Sequence, residues 1–166
     1  KVIIEACRNE GNINGKNTNG TKIGGIVGNI NGNSCNQNII INGCSTKDVS
    51  FASSATSAYN GGILGIIVNP KDANQITITA CWTENLSFPK VGTNRGIVAS
   101  TSTIEFTLNN CWTNADNLIS STAVTPNKCY KKADKKPFSE WVTEANTAWG
   151  STEYEFNADG TINVKK

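Results

Sequence analysis

The 166-residue chain contains no histidine. That absence removes the commonest general base, the Ser-His and Cys-His nucleophile pairs and every His-containing metal site. Charge is scarce as well: Asp, Glu, Lys and Arg make up 17% of the residues, and 15 basic against 13 acidic side chains leave a formal charge of +2. So small an excess provides no electrostatic footprint for nucleic acid or an anionic membrane. The densest basic cluster, Lys128 to Lys136 with Asp134 inside it, reads as a solvated loop face. No apolar run approaches the roughly 18 residues that a membrane span requires. Lys1 does not open a signal-peptide pattern, and the chain starts inside a repeat, so a fragment of a longer parent is expected.

What the chain has instead is glycine, small polar residues and six cysteines. Hydrophobic residues are 37% and glycines number 15, enough apolar content for a packed core rather than a disordered chain. Abundant Asn, Thr, Ser and Gly suit a β-rich protein with uncharged polar turns.

Four cysteines end one repeated phrase: Val2-Ile-Ile-Glu-Ala-Cys7, Ile39-Ile-Ile-Asn-Gly-Cys44, Ile76-Thr-Ile-Thr-Ala-Cys81 and, more loosely, Phe106-Thr-Leu-Asn-Asn-Cys111. The steps between them are 37, 37 and 30 residues. A second phrase keeps nearly the same period: Ile23-Gly-Gly-Ile-Val-Gly28, Asn60-Gly-Gly-Ile-Leu-Gly65 and the worn copy Arg95-Gly-Ile-Val-Ala99. Periods of this size indicate a stacked array of supersecondary units. Each copy carries three strand signals, in the best case at Gly24–Ile30, Asn38–Cys44 and Asp48–Phe51, then at Gly61–Val68, Gln75–Cys81 and Asn85–Phe88. Turn-rich segments at residues 31–34 and 69–72 separate copies. Ile76, Ile78 and Ala80 alternate with Thr77 and Thr79. The expectation is an all-β fold, a parallel, three-faced and right-handed β-solenoid whose core is made between repeats. The paired glycines then mark a bend or close backbone approach. Cys7, Cys44, Cys81 and Cys111 read as a buried column of free thiols. Cys35 and Cys129 fall outside that register and would be the partners of any single disulfide.

These residues resemble the GLUG repeat, a Gly-Gly-hydrophobic-hydrophobic-Gly phrase followed by a turn, a strand and an Asn/Ala-Cys-Tyr/Trp step. The likeness runs from about Ile23 to Leu118, in two good copies and one where Arg95 and Ala99 replace the outer glycines. Such repeats occur in large bacterial surface proteins, including adhesin-like proteins of gut Bacteroidetes and non-catalytic parts of secreted peptidases. The resemblance implies a β-solenoid outside a bacterial cell and transfers no catalytic residue.

Beyond Ser121 the pattern changes. Pro126, Pro137 and the Lys-rich stretch read as a connector. Phe138, Trp141, Val142, Ala145 and Trp149 then fall at helical spacing up to Gly150. Tyr154 and Phe156 against Ile162 and Val164, joined through Asn157 to Gly160, read as a β-hairpin. The expected organisation is solenoid repeats over 1–125 and a connector and C-terminal cap over 126–166, the cap covering the open end of the stack.

Chemistry is sparse. No two of the six cysteines form a Cys-x2-4-Cys unit, so no metal site and no cofactor is expected. The Gly-Gly segments lack a phosphate-loop Lys-Ser/Thr, which argues against nucleotide binding. The sequons at Asn19 and Asn85 signal surface exposure at most. Glu5, Asp48, Glu84, Glu105 and Asp116 are dispersed rather than paired, so no catalytic residue is assigned and the chain is read as a non-enzyme. The columns that could bind something follow the cysteines: Arg8, Ser45, Trp82 and Trp112 one residue on, Asn9, Thr46, Thr83 and Thr113 two residues on. Outward-facing Trp82 and Trp112 beside Thr83 and Thr113 would make a sugar-stacking surface; alternatively both indoles pack beneath a loop or the cap.

The function expected from these readings is a non-enzymatic, adhesin-like, extracellular module of the bacterial surface. It would be monomeric and would bind a host or microbial glycan or surface protein, or else act as a stalk. A β-helix polysaccharide lyase or glycoside hydrolase is the alternative. Ice binding through a threonine face is a minor one.

Overall fold

The computed structural model describes residues 1–15, 20–31, 37–53, 55–69, 75–101, 106–120 and 124–166. Asn19, Cys35, Glu105 and most of the turn residues at 31–34 and 69–72 lie outside this set.

The β-branched phrases pair with their own repeats. One parallel sheet holds Val2–Glu5, Ile39–Asn42, Ile76–Thr79 and Thr107–Asn109, with Val2 opposite Ile39 and Ile39 opposite Ile76. A second holds Arg8–Asn9, Ser45–Lys47, Trp82–Glu84 and Trp112–Thr113. Two three-stranded sheets contain the glycine phrase: Lys22–Gly24, Tyr59–Gly61 and Thr93–Arg95, then Val27–Asn31, Leu64–Val68 and Val98–Thr101. A short pair, Ile13–Asn14 with Phe51–Ala52, extends to Ser87 through a Ser50 bridge. The chain is thus strand-rich, built of small parallel sheets that join equivalent positions of successive repeats, with one α-helix among the described residues.

Alternation decides what is buried. Ile41, Ile76 and Ile78 are fully enclosed and join Cys44, Cys81, Cys111, Ile63, Leu64, Ile67 and Val98 in the main core. Val2, on the edge strand, occupies the position of Ile39 and Ile76 yet is 43% exposed. The strand expected to run through each cysteine is broken just before it. Ala6, Gly43, Ala80, Asn110 and Lys128 all have φ between 48° and 57°. This left-handed residue turns the chain from one sheet into the next while leaving the following cysteine directed inward.

Lys128 in that series places Cys129 in the register after all. Asn127 and Tyr130 bridge to Asn109 and Trp112, the N–H of Cys111 donates to Cys129 Sγ at 3.3 Å, and Cys129 is a free thiol. The reading of Cys129 as an out-of-register disulfide partner is therefore corrected: an abbreviated copy of the phrase makes it a fifth rung. Repeat-like pairing accordingly continues past residue 125, to about Tyr130.

The helix Phe138–Trp149 forms as expected and ends on Gly150 in the left-handed conformation. The antiparallel hairpin Tyr154–Phe156 with Ile162–Val164 follows it. Their position differs from expectation. Trp141 Nε1 donates to the Asn110 carbonyl, Trp149 Nε1 to Glu5 Oε1, and Arg8 Nη1 to the Gly160 carbonyl. Helix and hairpin therefore lie along one flank, from the last repeats to the first, rather than over an end. The edge of the last repeat is met instead by residues 117–119 and 127–130: Gly96 N bonds the Asn117 carbonyl, Ile97 N the Leu118 carbonyl, and Tyr130 N the Cys111 carbonyl. Five large aromatics (Phe138, Trp141, Trp149, Tyr154 and Phe156) and an apolar helix face gain more by covering an aromatic flank than by covering a strand edge, where backbone partners are needed.

Candidate functional site

Trp82 and Trp112 stand in register on adjacent strands, turned away from the cysteine core as alternation requires. Neither presents its face to solvent. Trp82 is fully buried and Trp112 is 9% exposed. The Phe138 ring lies against both, at 4.9 Å and 5.0 Å between centroids. The Arg8 guanidinium lies over the Trp82 ring, 5.7 Å from its centroid. Trp112 Nε1 donates to the Lys136 carbonyl at 3.1 Å, whereas Trp82 Nε1 has no hydrogen-bond partner among the described residues. The expectation of an open sugar-stacking pair is corrected, because the C-terminal arm occupies that surface.

Thr83 and Thr113 are interior too, with no exposed area. Their hydroxyls bond each other at 2.8 Å, and Thr83 Oγ1 donates to the Gly96 carbonyl at 3.1 Å. Two residues after an inward cysteine, alternation returns the side chain to the inside, a rule readable in the sequence. This column explains the glycines: a Cβ on Gly62 would sit 2.0 Å from the Gly96 carbonyl oxygen and 2.7 Å from Thr83 Cγ2. It also removes Thr46, Thr83 and Thr113 from any surface threonine array.

The thiol column is chemically quiet. Cys44, Cys81 and Cys111 place Sγ 3.6, 3.6 and 3.8 Å from the carbonyls of Ile4, Ile41 and Ile78 one repeat earlier. Burial pushes the Cys81 and Cys111 thiols well above their ordinary range. Hydrogen bonding to Cys111, then burial, does the same for Cys129. Thiols held protonated in this way are poor nucleophiles and poor metal ligands.

The carboxylates are engaged separately. Glu5 accepts from Trp149, Asp48 from Asn85 at 2.9 Å, Glu84 pairs with Lys47 at 3.0 Å, and Asp116 lies 3.8 Å from Lys132. Among the described residues no cluster of ligands is arranged to hold a metal, and no helix is long and apolar enough to cross a membrane.

The open, chemically furnished surface is elsewhere, beside Phe88. A groove of about 400 Å³ is lined by Asn85, Asn94, Asn114, Asn117, Leu86 and Phe88, with Asp116 and Lys132 at its border. A shallower hollow of about 620 Å³ shares Phe88 and continues past Ser50, Ser53 and Ser87. Phe88 is held by stacking on buried Phe51, 5.0 Å between centroids. Three of the amides are fixed as well. Asn114 Nδ2 donates to Asn85 Oδ1 at 3.1 Å, and Asn94 is locked between Asn60 and the Pro89 carbonyl at 2.7 and 2.8 Å. The left-handed residues Asp48 and Asn85 turn the chain at this corner. Sequence reasoning passed over the groove because its lining comes from three stretches of chain, and only Asn85 and Asp116 drew attention singly.

Compared with known proteins, the chain matches no family model, no curated protein and no solved structure.

Proposed function

We propose that the chain is a β-solenoid segment of an adhesin-type protein on the outside of a bacterial cell, acting without catalysis to bind a glycan or protein ligand. One observation carries the binding reading: the groove beside Phe88 is open, of a size at which ligands are held, and lined by side chains fixed from behind. The GLUG-like phrases support the placement at the cell surface. Among the described residues one carboxylate lines the groove, Asp116, and the nearby Asp48 is engaged by the Asn85 amide, whereas glycoside hydrolysis uses a facing pair.

A stalk is the second reading, favoured by the arm that fastens Glu5 and Arg8 of the first repeat to Asn110 and Trp112 of the last. The two are separated by presenting the purified chain to arrays of host and microbial glycans and surface proteins. Ligand capture that Phe88→Ala abolishes supports binding. No capture on any array leaves the stalk. A parallel screen of polysaccharides for newly released chain ends tests catalysis, and any turnover overturns the proposal.

A further inference from the structure

Resting on the binding reading above, we infer that the groove beside Phe88 takes an uncharged oligosaccharide, with a sugar ring against Phe88 and its hydroxyls on the surrounding amides. Each side-chain amide offers two donor hydrogens and a carbonyl oxygen with two lone pairs, and a sugar hydroxyl both gives and accepts. Asn85, Asn94 and Asn114 each spend part of that capacity on neighbours, which orients them and leaves the rest for a ligand. Asn117, which has no side-chain partner among the described residues, is wholly free to bond. Amides oriented before binding need little ordering on contact.

The apolar floor fits the same ligand. Leu86 and Phe88 are half-buried, so each shows a limited apolar area between polar groups, as the C–H face of a pyranose requires. Charge gives no strong preference for an acidic or basic ligand: the charged lining side chains, Asp116 and Lys132, are of opposite sign and 3.8 Å apart, and the nearby Asp48 is engaged by the Asn85 amide. The parallel strands behind the groove repeat at about 4.8 Å, so a linear chain can run from Phe88 into the serine-lined hollow.

The test is calorimetry on the full chain with linear neutral hexasaccharides (cello-, manno- and xylo-hexaose) and acidic ones (hexagalacturonate and a heparin hexasaccharide), alongside a neutral glycan array. The expected result is binding of at least one neutral glycan, weakened about tenfold or more by Phe88→Ala and several-fold by Asn117→Ala. Raising the salt should change it by less than about twofold. Asn117→Ala alters an exposed side chain and should melt like the parent, which keeps the test valid if Phe88→Ala folds poorly. Binding of acidic oligosaccharides alone, or neutral binding indifferent to both substitutions, overturns the inference. Failure of every neutral glycan while Phe88→Ala abolishes capture of a protein overturns the ligand class and spares the binding reading. Failure of every ligand overturns both.

Discussion

Two flanks of the same stack carry aromatic residues, and they have opposite fates. On one, Trp82 and Trp112 pair across adjacent strands and are covered by Phe138, itself packed on Trp141, of the protein's own arm. On the other, Phe88 is supported from below by Phe51 and left half-open among amides. An extended apolar surface is stabilised by whatever covers it, and here the cover is intramolecular. A single ring framed by fixed polar groups needs no such cover.

The contrast breaks first at the arm. Deleting residues 137–166 should expose Ala80, Trp82 and Trp112, so that the shortened chain binds a hydrophobic dye and self-associates on size-exclusion chromatography at concentrations where the parent is monomeric. A monomeric, equally stable truncation would mean that the flank does not depend on the arm. Single residues follow. Trp82→Ala should cost roughly 3 to 5 kcal/mol in urea unfolding and leave the groove's affinity per folded molecule unchanged, whereas loss of affinity in the folded fraction would couple the flanks. Conservative variants sharpen this: Trp112→Phe sacrifices the bond to the Lys136 carbonyl, about 1 kcal/mol, while the buried indole N–H of Trp82 has no partner to lose. Trp82→Phe should therefore be the milder change, and the reverse order would contradict the assigned contacts.

A smaller effect is expected where the arm meets a repeat turn. Gly43 has φ of 57°, and a Cβ there would stand 2.2 Å from Trp149 Cζ2. Gly43→Ala should destabilise by more than about 1 kcal/mol through backbone strain plus displacement of the indole. Ala6→Gly, at the equivalent turn of the first repeat, should be neutral or slightly stabilising in the same unfolding assay.

The smallest effect is that of acid. The Lys136 ammonium, with help from the Tyr130 hydroxyl, holds the Glu144 carboxyl below its ordinary value of 4.5. Because the folded value is the lower one, this stabilisation is present above pH 4.5 and fades as pH falls through the folded value. Glu144→Gln should flatten that part of the acid unfolding profile, and a profile identical to the parent's would show that the contact does not hold the arm.

Much of this was legible residue by residue. Ile39, Ile76 and the cysteines that follow announced which strands pair and in what register. Phe138, Trp141, Ala145 and Trp149 announced a helix, and Asn157 to Gly160 a hairpin. The burial of Thr83 and Thr113 was also available, since alternation from Cys81 and Cys111 puts them inside. So was the fifth rung, in the likeness of Asn127-Lys-Cys-Tyr130 to Asn109-Asn-Cys-Trp112. The docking of the arm was not available, because an apolar helix face specifies that it will be covered but not by which partner.

Periodicity and local turn chemistry set the repeat, the pairing of equivalent strands and the identity of the C-terminal elements, so all three are written in the chain. The folded chain adds that the arm lies on the tryptophan flank and that Asn85, Asn94, Asn114 and Phe88 form an open groove on the other. Both depend on where distant segments meet, and neither leaves a periodic trace in the chain.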